Sequence, residues 1–289
     1  NLGALTHNLN YFRARLRPET KIMVMVKAFA YGGGSAEIAR LLQYHRVDYL
    51  GVAYVDEGIA LRQQGIRLPV MVLNPSEDSW ASCTEYKLEP EIYSWELLDS
   101  LLQYLQDKQL SMPVHIKLDT GMHRLGFTKQ DAHKLASMLA GQPLIKVQSV
   151  FSHLAAADEA GQDDFSHRQA QVFQQQVEIV REQLVAQPLR HLLNSAGIIR
   201  FPEYQYDMVR LGVALYGVDP TQTLGSQLQN VSSLKTTISQ VHVLEPGETV
   251  GYGRQGKVDR PMRVATIAIG YADGFSRLYG NGRAQVWVN

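Results

Sequence analysis

"MVMVKAFAYGGGSAEIARLL", residues 23–42, carries four apolar residues into Lys27, passes Tyr31 and three glycines, and reaches Ser35, where helical spacing begins. The short apolar run predicts a buried strand, and the serine with the spacing after it predicts a helix that returns along a sheet. Lysine is out of place at the end of such a strand. A buried ammonium is costly unless it is paired, neutralised or covalently used, so Lys27 is the first candidate for chemistry.

The same rhythm repeats along the chain. Besides "KIMVMV" at 21–26, strands are expected at 48–54, 68–73, 89–93, 113–118, 147–152, 190–194 and 207–217. Helical stretches such as "SAEIARLLQYH", "WELLDSLLQYLQ" and "FSHRQAQVFQQQVEIVREQLVA" lie between them. Eight strands alternating with helices are the number that closes a parallel (β/α)8 barrel, and an open doubly wound sheet is the competing architecture. After Pro220 the helices stop, and three alternating stretches follow, separated by Gly/Pro turns. The expectation is therefore a barrel over 1–220, a linker at 218–230, and the start of an antiparallel β domain over 231–289.

Lys+Arg equals Asp+Glu at 28 each, which gives no basic excess to attract nucleic acid or an anionic membrane. A small neutral or zwitterionic partner fits better. Cys83 is the one cysteine, so no internal disulfide and no thiolate metal cluster can form, and the histidines show no metal-ligand spacing. No signal peptide or bilayer-length apolar run is evident, and a cytoplasmic location is expected. The chain does not begin with Met and stops on the alternating "AQVWVN", so one or both ends are expected to continue in a longer protein.

In a barrel of this class the site lies at the carboxyl ends of the strands, and phosphate is held by the loops after the seventh and eighth. Those ends carry Lys27, Lys117 with "DTGMHRLG" after it, His153, Asn194 with Ser195, and Arg210. Their convergence favours the barrel over the open sheet. Ser195 before "AGIIRF", together with Gly212, describes a phosphate pocket or simply a helix cap and a turn glycine. Lys27 beside such a pocket is either a charge partner or an amine that forms a Schiff base. Pyridoxal 5′-phosphate would use both features.

"VKAFAYGGGS", "KLDTGMHRLGF", "FSHLAAAD", "NSAG", "DMVRLGVALYG" and "IAIGYADGFSR", in this order, resemble the alanine racemases, pyridoxal-phosphate enzymes built of a barrel and a β domain. The resemblance implies that Lys27 holds the cofactor as a Schiff base and that Tyr31, Ser195, Gly212 and Val213 receive its phosphate. It also implies that Arg210 faces the pyridine nitrogen and Arg124 the phenolic oxygen. Phe29 and Gly33 depart from the usual Asn and His, and "KAFAYG" is similar to racemases fused behind a cell-wall ligase.

Racemisation of alanine, the supply of D-alanine for peptidoglycan, needs one base on each face of the α-carbon. Lys27 is one, and the resemblance assigns the other face to Tyr271 of a partner subunit, which implies a homodimer with shared sites. An unperturbed tyrosine titrates near about 10, and His153 is the candidate partner that helps it act as a base. Arg210 keeps its protons, so it donates to the ring nitrogen without protonating it, which suppresses transamination. The resemblance implies that Lys117 matches a lysine that some relatives carbamylate to steady the arginine represented by Arg124, a role that a small anion fills in others. The rival readings are a barrel-type pyridoxal-phosphate decarboxylase and a non-catalytic pyridoxal-phosphate carrier.

Overall fold

Alternation inside the apolar runs builds the wall of a barrel. In β1 (Lys21–Met25), Ile22 and Val24 join the layer shared with the surrounding helices, whereas Met23 and Met25 join a separate cluster with Tyr49, Met71, Phe151 and Met208. That second cluster is the barrel interior, so successive side chains along each strand serve different cores. The computed structural model describes residues 1–280 and 282–288, in two units, Asn1–Ser232 and Ser233–Asn289.

In the first unit β1 is followed by β2 (Tyr49–Val52), β3 (Val70–Val72), β4 (Glu89–Ile92), β5 (Met112–Lys117), β6 (Ile145–Phe151), β7 (Leu189–His191) and β8 (Met208–Leu211). All neighbours are parallel in the order β7-β6-β5-β4-β3-β2-β1-β8. Two backbone bonds join the ends of that order, Asp207 N to Arg190 O at 3.1 Å and Arg210 N to Leu193 O at 3.0 Å. The architecture is the (β/α)8 barrel. Helices occupy Ser35–Tyr44, Val55–Gln63, Trp95–Lys108, Ala132–Ala140 and Asp163–Gln183, between the strands that the sequence pattern marks. Among the described residues no helix is long and apolar enough to cross a membrane.

Two helices were not expected. Leu2–Arg13 buries Ala4, Leu5, Leu9 and Phe12 along one stripe, with Asn8 among them. Asn8 donates to Leu215 O at 3.0 Å and to Gln229 O at 2.8 Å, and accepts from Gln229 N at 2.8 Å. The stretch 218–230 expected as a linker is therefore strapped to the barrel, because a buried amide completes its backbone bonds. The short helix Trp80–Glu85 carries Cys83, which is buried against the core.

The second unit holds two antiparallel pairs, β9 (Ile238–Leu244) with β12 (Met262–Ile267) and β10 (Thr249–Val250) with β11 (Gly256–Lys257). The alternating stretch near the end is not a strand: residues 285–288 are irregular, and Asn289 lies outside the described residues. Alternation marks a face but does not supply a partner, and no described strand pairs with this stretch.

Candidate active site

Strand parity sets the site. Inward positions 23 and 25 of β1 continue to Lys27, position 89 of β4 to Glu91, position 115 of β5 to Lys117, position 151 of β6 to His153, and Arg210 of β8 to Gly212. They open on a cavity of about 410 Å³ whose walls include Lys27, Tyr31, Lys117, Arg124, His153, Asn194, Ser195, Arg210, Gly212 and Val213. One cavity of the first unit thus gathers ten of the residues singled out in the sequence. Tyr271 belongs to the second unit, where it is exposed and its hydroxyl accepts from Arg277 Nε at 2.9 Å.

Lys27 is not the last residue of its strand. β1 ends at Met25, Val26 N adds one more bond to Gly51 O at 2.8 Å, and half-buried Lys27 opens a turn. Ala28, Phe29, Ala30 and Tyr31 all take left-handed backbone angles, with φ from 52° to 56°. Each such residue costs about 1–2 kcal/mol, so the turn has to be braced. Glu57 does this: its carboxylate accepts from Ala28 N and Ala53 N, both at 2.6 Å, and from Tyr54 N at 3.3 Å. At the other end the Tyr31 ring lies 4.6 Å from that of Tyr216, whose hydroxyl donates to Met25 O at 2.9 Å. The sequence reading missed Glu57. Its signal is a glutamate three residues after a helix N-cap, the place from which a side chain reaches back to backbone N–H groups.

Arg210 is buried and spends its terminal N–H groups on the barrel. Nη1 donates to His191 Nδ1 at 2.7 Å and His191 O at 3.2 Å, and Nη2 to Ser152 O at 2.6 Å, Leu192 O at 2.9 Å and His153 Nδ1 at 3.2 Å. No described residue accepts from Nε–H. Burial pulls the guanidinium down to about 10, so it stays charged at neutral pH. Because a guanidinium only donates, His153 Nδ1 must accept, which puts the proton of neutral His153 on Nε2. Burial, then the charges of Arg210, Lys117, Arg124 and Lys27, hold His153 well below the usual histidine value. Nε2–H faces Asn194 Nδ2 at 3.4 Å, another donor, because the Asn194 amide is fixed by Gly197 N at 2.9 Å and Leu154 O at 3.2 Å. The pocket therefore contains a neutral imidazole whose N–H is not satisfied by its neighbour.

Lys117 lies 3.6 Å from Glu91, with its ammonium 4.4 Å from the centre of the Phe151 ring. Both charges are buried, and burial pushes Lys117 down and Glu91 up against their mutual attraction. Glu91 was also missed in the sequence, where a glutamate in "EPEIY" reads as an exposed strand residue. Above the pair, "DTGMHRLG" folds back on itself. Asp119 accepts from Gly121 N and His123 N, both at 3.0 Å, and Phe127 N bonds Lys117 O at 2.9 Å. The closure passes through Gly126 at φ +127°, where a Cβ would lie 2.6 Å from Asp119 N. This loop carries exposed Arg124 over the cavity.

On the opposite wall Ser195 begins the helix Ser195–Arg200, capped by Asn194. Its Oγ accepts from Gly212 N at 3.0 Å and Ala214 N at 3.4 Å, so its own proton is used in neither bond. A Cβ on Gly212 would lie 3.0 Å from the Tyr31 hydroxyl and 3.8 Å from Ser195 Oγ. The glycine keeps open a small polar cradle of two hydroxyls and backbone amides.

The family model described as alanine racemase, N-terminal domain, matches residues 1–220, and that of the C-terminal domain matches 231–289. Alanine racemase 1 of Oceanobacillus iheyensis is 34% identical over 286 residues, which span 97% of this chain and 76% of that protein. The alanine racemase of Synechocystis is 34% identical over 283 residues, 96% and 76% respectively. Among solved structures, alanine racemase of Clostridium difficile 630 superposes with a TM-score of 0.87 at 32% identity over 96% of this chain and 74% of that one. The structure of alanine racemase from Bartonella henselae with covalently bound pyridoxal phosphate gives 0.85 at 28% identity over 96% and 76%. In sequence over nearly its whole length, and in fold, the chain belongs to the alanine racemase family.

Proposed function

We propose that the chain interconverts L- and D-alanine with pyridoxal 5′-phosphate, in the cytoplasm, and as a homodimer whose sites are shared. The observation that carries this reading is one cavity that joins the Lys27 amine, just past the end of β1, to a polar cradle and the buried Arg210 guanidinium. The residues present fit the cofactor. Lys27 offers an amine for its aldehyde; the hydroxyls of Tyr31 and Ser195 and the amide of Val213 offer donors for its phosphate, and Gly212, whose own N–H is held by Ser195 Oγ, leaves room for it where a Cβ would crowd that cradle. Arg210 Nε–H, with no acceptor among the described residues, suits a ring nitrogen, and Arg124 suits a phenolic oxygen. When bound, the cofactor supplies an electron sink for the charge left at the α-carbon as its proton departs.

The protein's own residues then move that proton. Lys27 Nζ takes or returns it on one face, and Tyr271 Oη of the partner subunit acts on the other. His153 supports the tyrosine: its Nε2–H donates to the phenolic oxygen and favours the phenolate, which an isolated tyrosine reaches only near about pH 10. Arg210 holds His153 in that tautomer and cannot surrender a proton to the ring, which keeps the reaction from straying toward transamination. Glu91 supplies the negative charge that a carbamate on Lys117 would add, which supports an unmodified Lys117.

Incubation with pyridoxal phosphate, borohydride reduction and peptide mapping should place the adduct on Lys27, and chiral chromatography should show D-alanine formed from L-alanine. An adduct on Lys117 would overturn the site assignment. Adduct without D-alanine would favour a carrier.

A further inference from the structure

We propose that Glu89 is a positioning residue for Arg210, acting from the N-terminal rim of the barrel through a directed hydrogen-bond relay across the barrel interior. The inference rests on the reading of Arg210 as the donor at the cofactor's ring. Arg210 Nη1 lies 2.7 Å from His191 Nδ1, His191 Nε2 lies 2.7 Å from Ser149 Oγ, Ser149 Oγ lies 2.6 Å from His115 Nδ1, and His115 Nε2 lies 3.0 Å from Glu89 Oε2. His115, Ser149 and His191 are fully buried, and Glu89 is the first residue of β4. The register explains the meeting. Val114 pairs with Val147 but His115 with Ser149, so Gln148 is an extra residue that turns Ser149 to the inside.

Every proton in the relay is dictated by its ends. The guanidinium can only donate, so His191 accepts at Nδ1 and carries its hydrogen on Nε2. That hydrogen goes to Ser149, whose own hydroxyl hydrogen must go to His115 Nδ1. His115 then carries its hydrogen on Nε2 and gives it to Glu89, which when ionised only accepts. A donor-only group at one end and an acceptor-only group at the other agree on one direction, and both histidines remain neutral. The opposite tautomer of His191 would set N–H against N–H at 2.7 Å. Without Glu89 the buried His115 Nε2–H loses its acceptor and the guanidinium alone sets the direction; the reversed relay, with the His191 hydrogen on Nδ1, then competes whenever Arg210 Nη1 withdraws, and the grip on Arg210 loosens. Glu89 also lines a second cavity of about 490 Å³ with Arg62, Tyr86 and Lys87, so the relay joins the two cavities of opposite barrel ends.

Imidazole nitrogen NMR on the full chain labelled with ¹⁵N-histidine reads tautomers directly, without and with pyridoxal phosphate. In the wild type, His115 and His191 should both carry hydrogen on Nε2. Glu89→Leu and Ser149→Ala should each populate the second tautomer at His191 and lower kcat about tenfold while KM stays within about twofold. Glu89→Gln, whose amide oxygen still accepts, should restore the wild-type His191 signals. Should Glu89→Leu fail to fold, Ser149→Ala carries the same test from the middle of the relay. His191 signals unchanged in both variants, or hydrogen on Nδ1 in the wild type, would overturn the proposal. Tautomers that shift as stated in a protein that does not racemise alanine would uphold the relay and refute the racemase reading alone.

Discussion

Phe29 stands at φ 54° in the turn after Lys27, with 66% of its surface exposed. Its side chain gains little from packing while its backbone bears the left-handed penalty. Asparagine visits this region far more readily. Phe29→Asn should therefore raise stability by about 0.5–1 kcal/mol in denaturant melts; a loss would mean that the aromatic ring is held by something other than the barrel. Nothing in "KAFAY" announces such a turn, because Ala, Phe and Tyr carry no left-handed preference. Lys27 was legible as an anomaly of charge in an apolar run. Glu57 and Glu91, which hold backbone and ammonium near it, were not, since a glutamate in a mixed stretch looks like any solvated carboxylate.

Eight strands and most of their helices were legible because the apolar runs were bounded by turns and mostly followed by helical spacing; the short helix Trp80–Glu85 after β3 was not. The relay from Arg210 to Glu89 was not, because its members lie on five different strands and one of them depends on a single extra residue in β6. The "DTGMHRLG" loop is the element on which the site depends most locally. Gly126→Ala meets both a forbidden backbone angle and the Asp119 amide, and should cost about 3 kcal/mol or more. The same variant should weaken pyridoxal phosphate binding, measured by absorbance titration, because Arg124 rides on this loop. Undiminished stability would show that the loop reorganises without strain.

At the scale of the molecule, buried neutral histidines make the barrel sensitive to acid. His153 and His191 titrate well below the usual value, from burial first and the nearby guanidinium second. An unfolded chain protonates these residues near about pH 6.5 while the folded one resists, so the unfolded state binds more protons and stability falls with pH from about 6.5 downward. Denaturant midpoints should be level above about pH 7.5 and drop steeply toward about pH 5; a flat profile would refute the neutral assignment. The proposed sharing of sites between subunits has its own test. Lys27→Ala and Tyr271→Phe subunits, each inactive, should recover about a quarter of wild-type activity when mixed, because half the dimers are mixed and each has one complete site. No recovery would return Tyr271 to its own subunit.

The lone cysteine offers a clock for motion of the barrel wall. Cys83 is 1% exposed, and burial raises its thiol to about 11, so it can lose its proton to solvent and meet a thiol reagent only when the helix Trp80–Glu85 lifts away. With one thiol in the chain, every alkylation event has the same address. Its rate under native conditions reads the opening of that helix alone, and the change of that rate on adding alanine or cofactor would report how far occupancy of the pocket is felt through the wall.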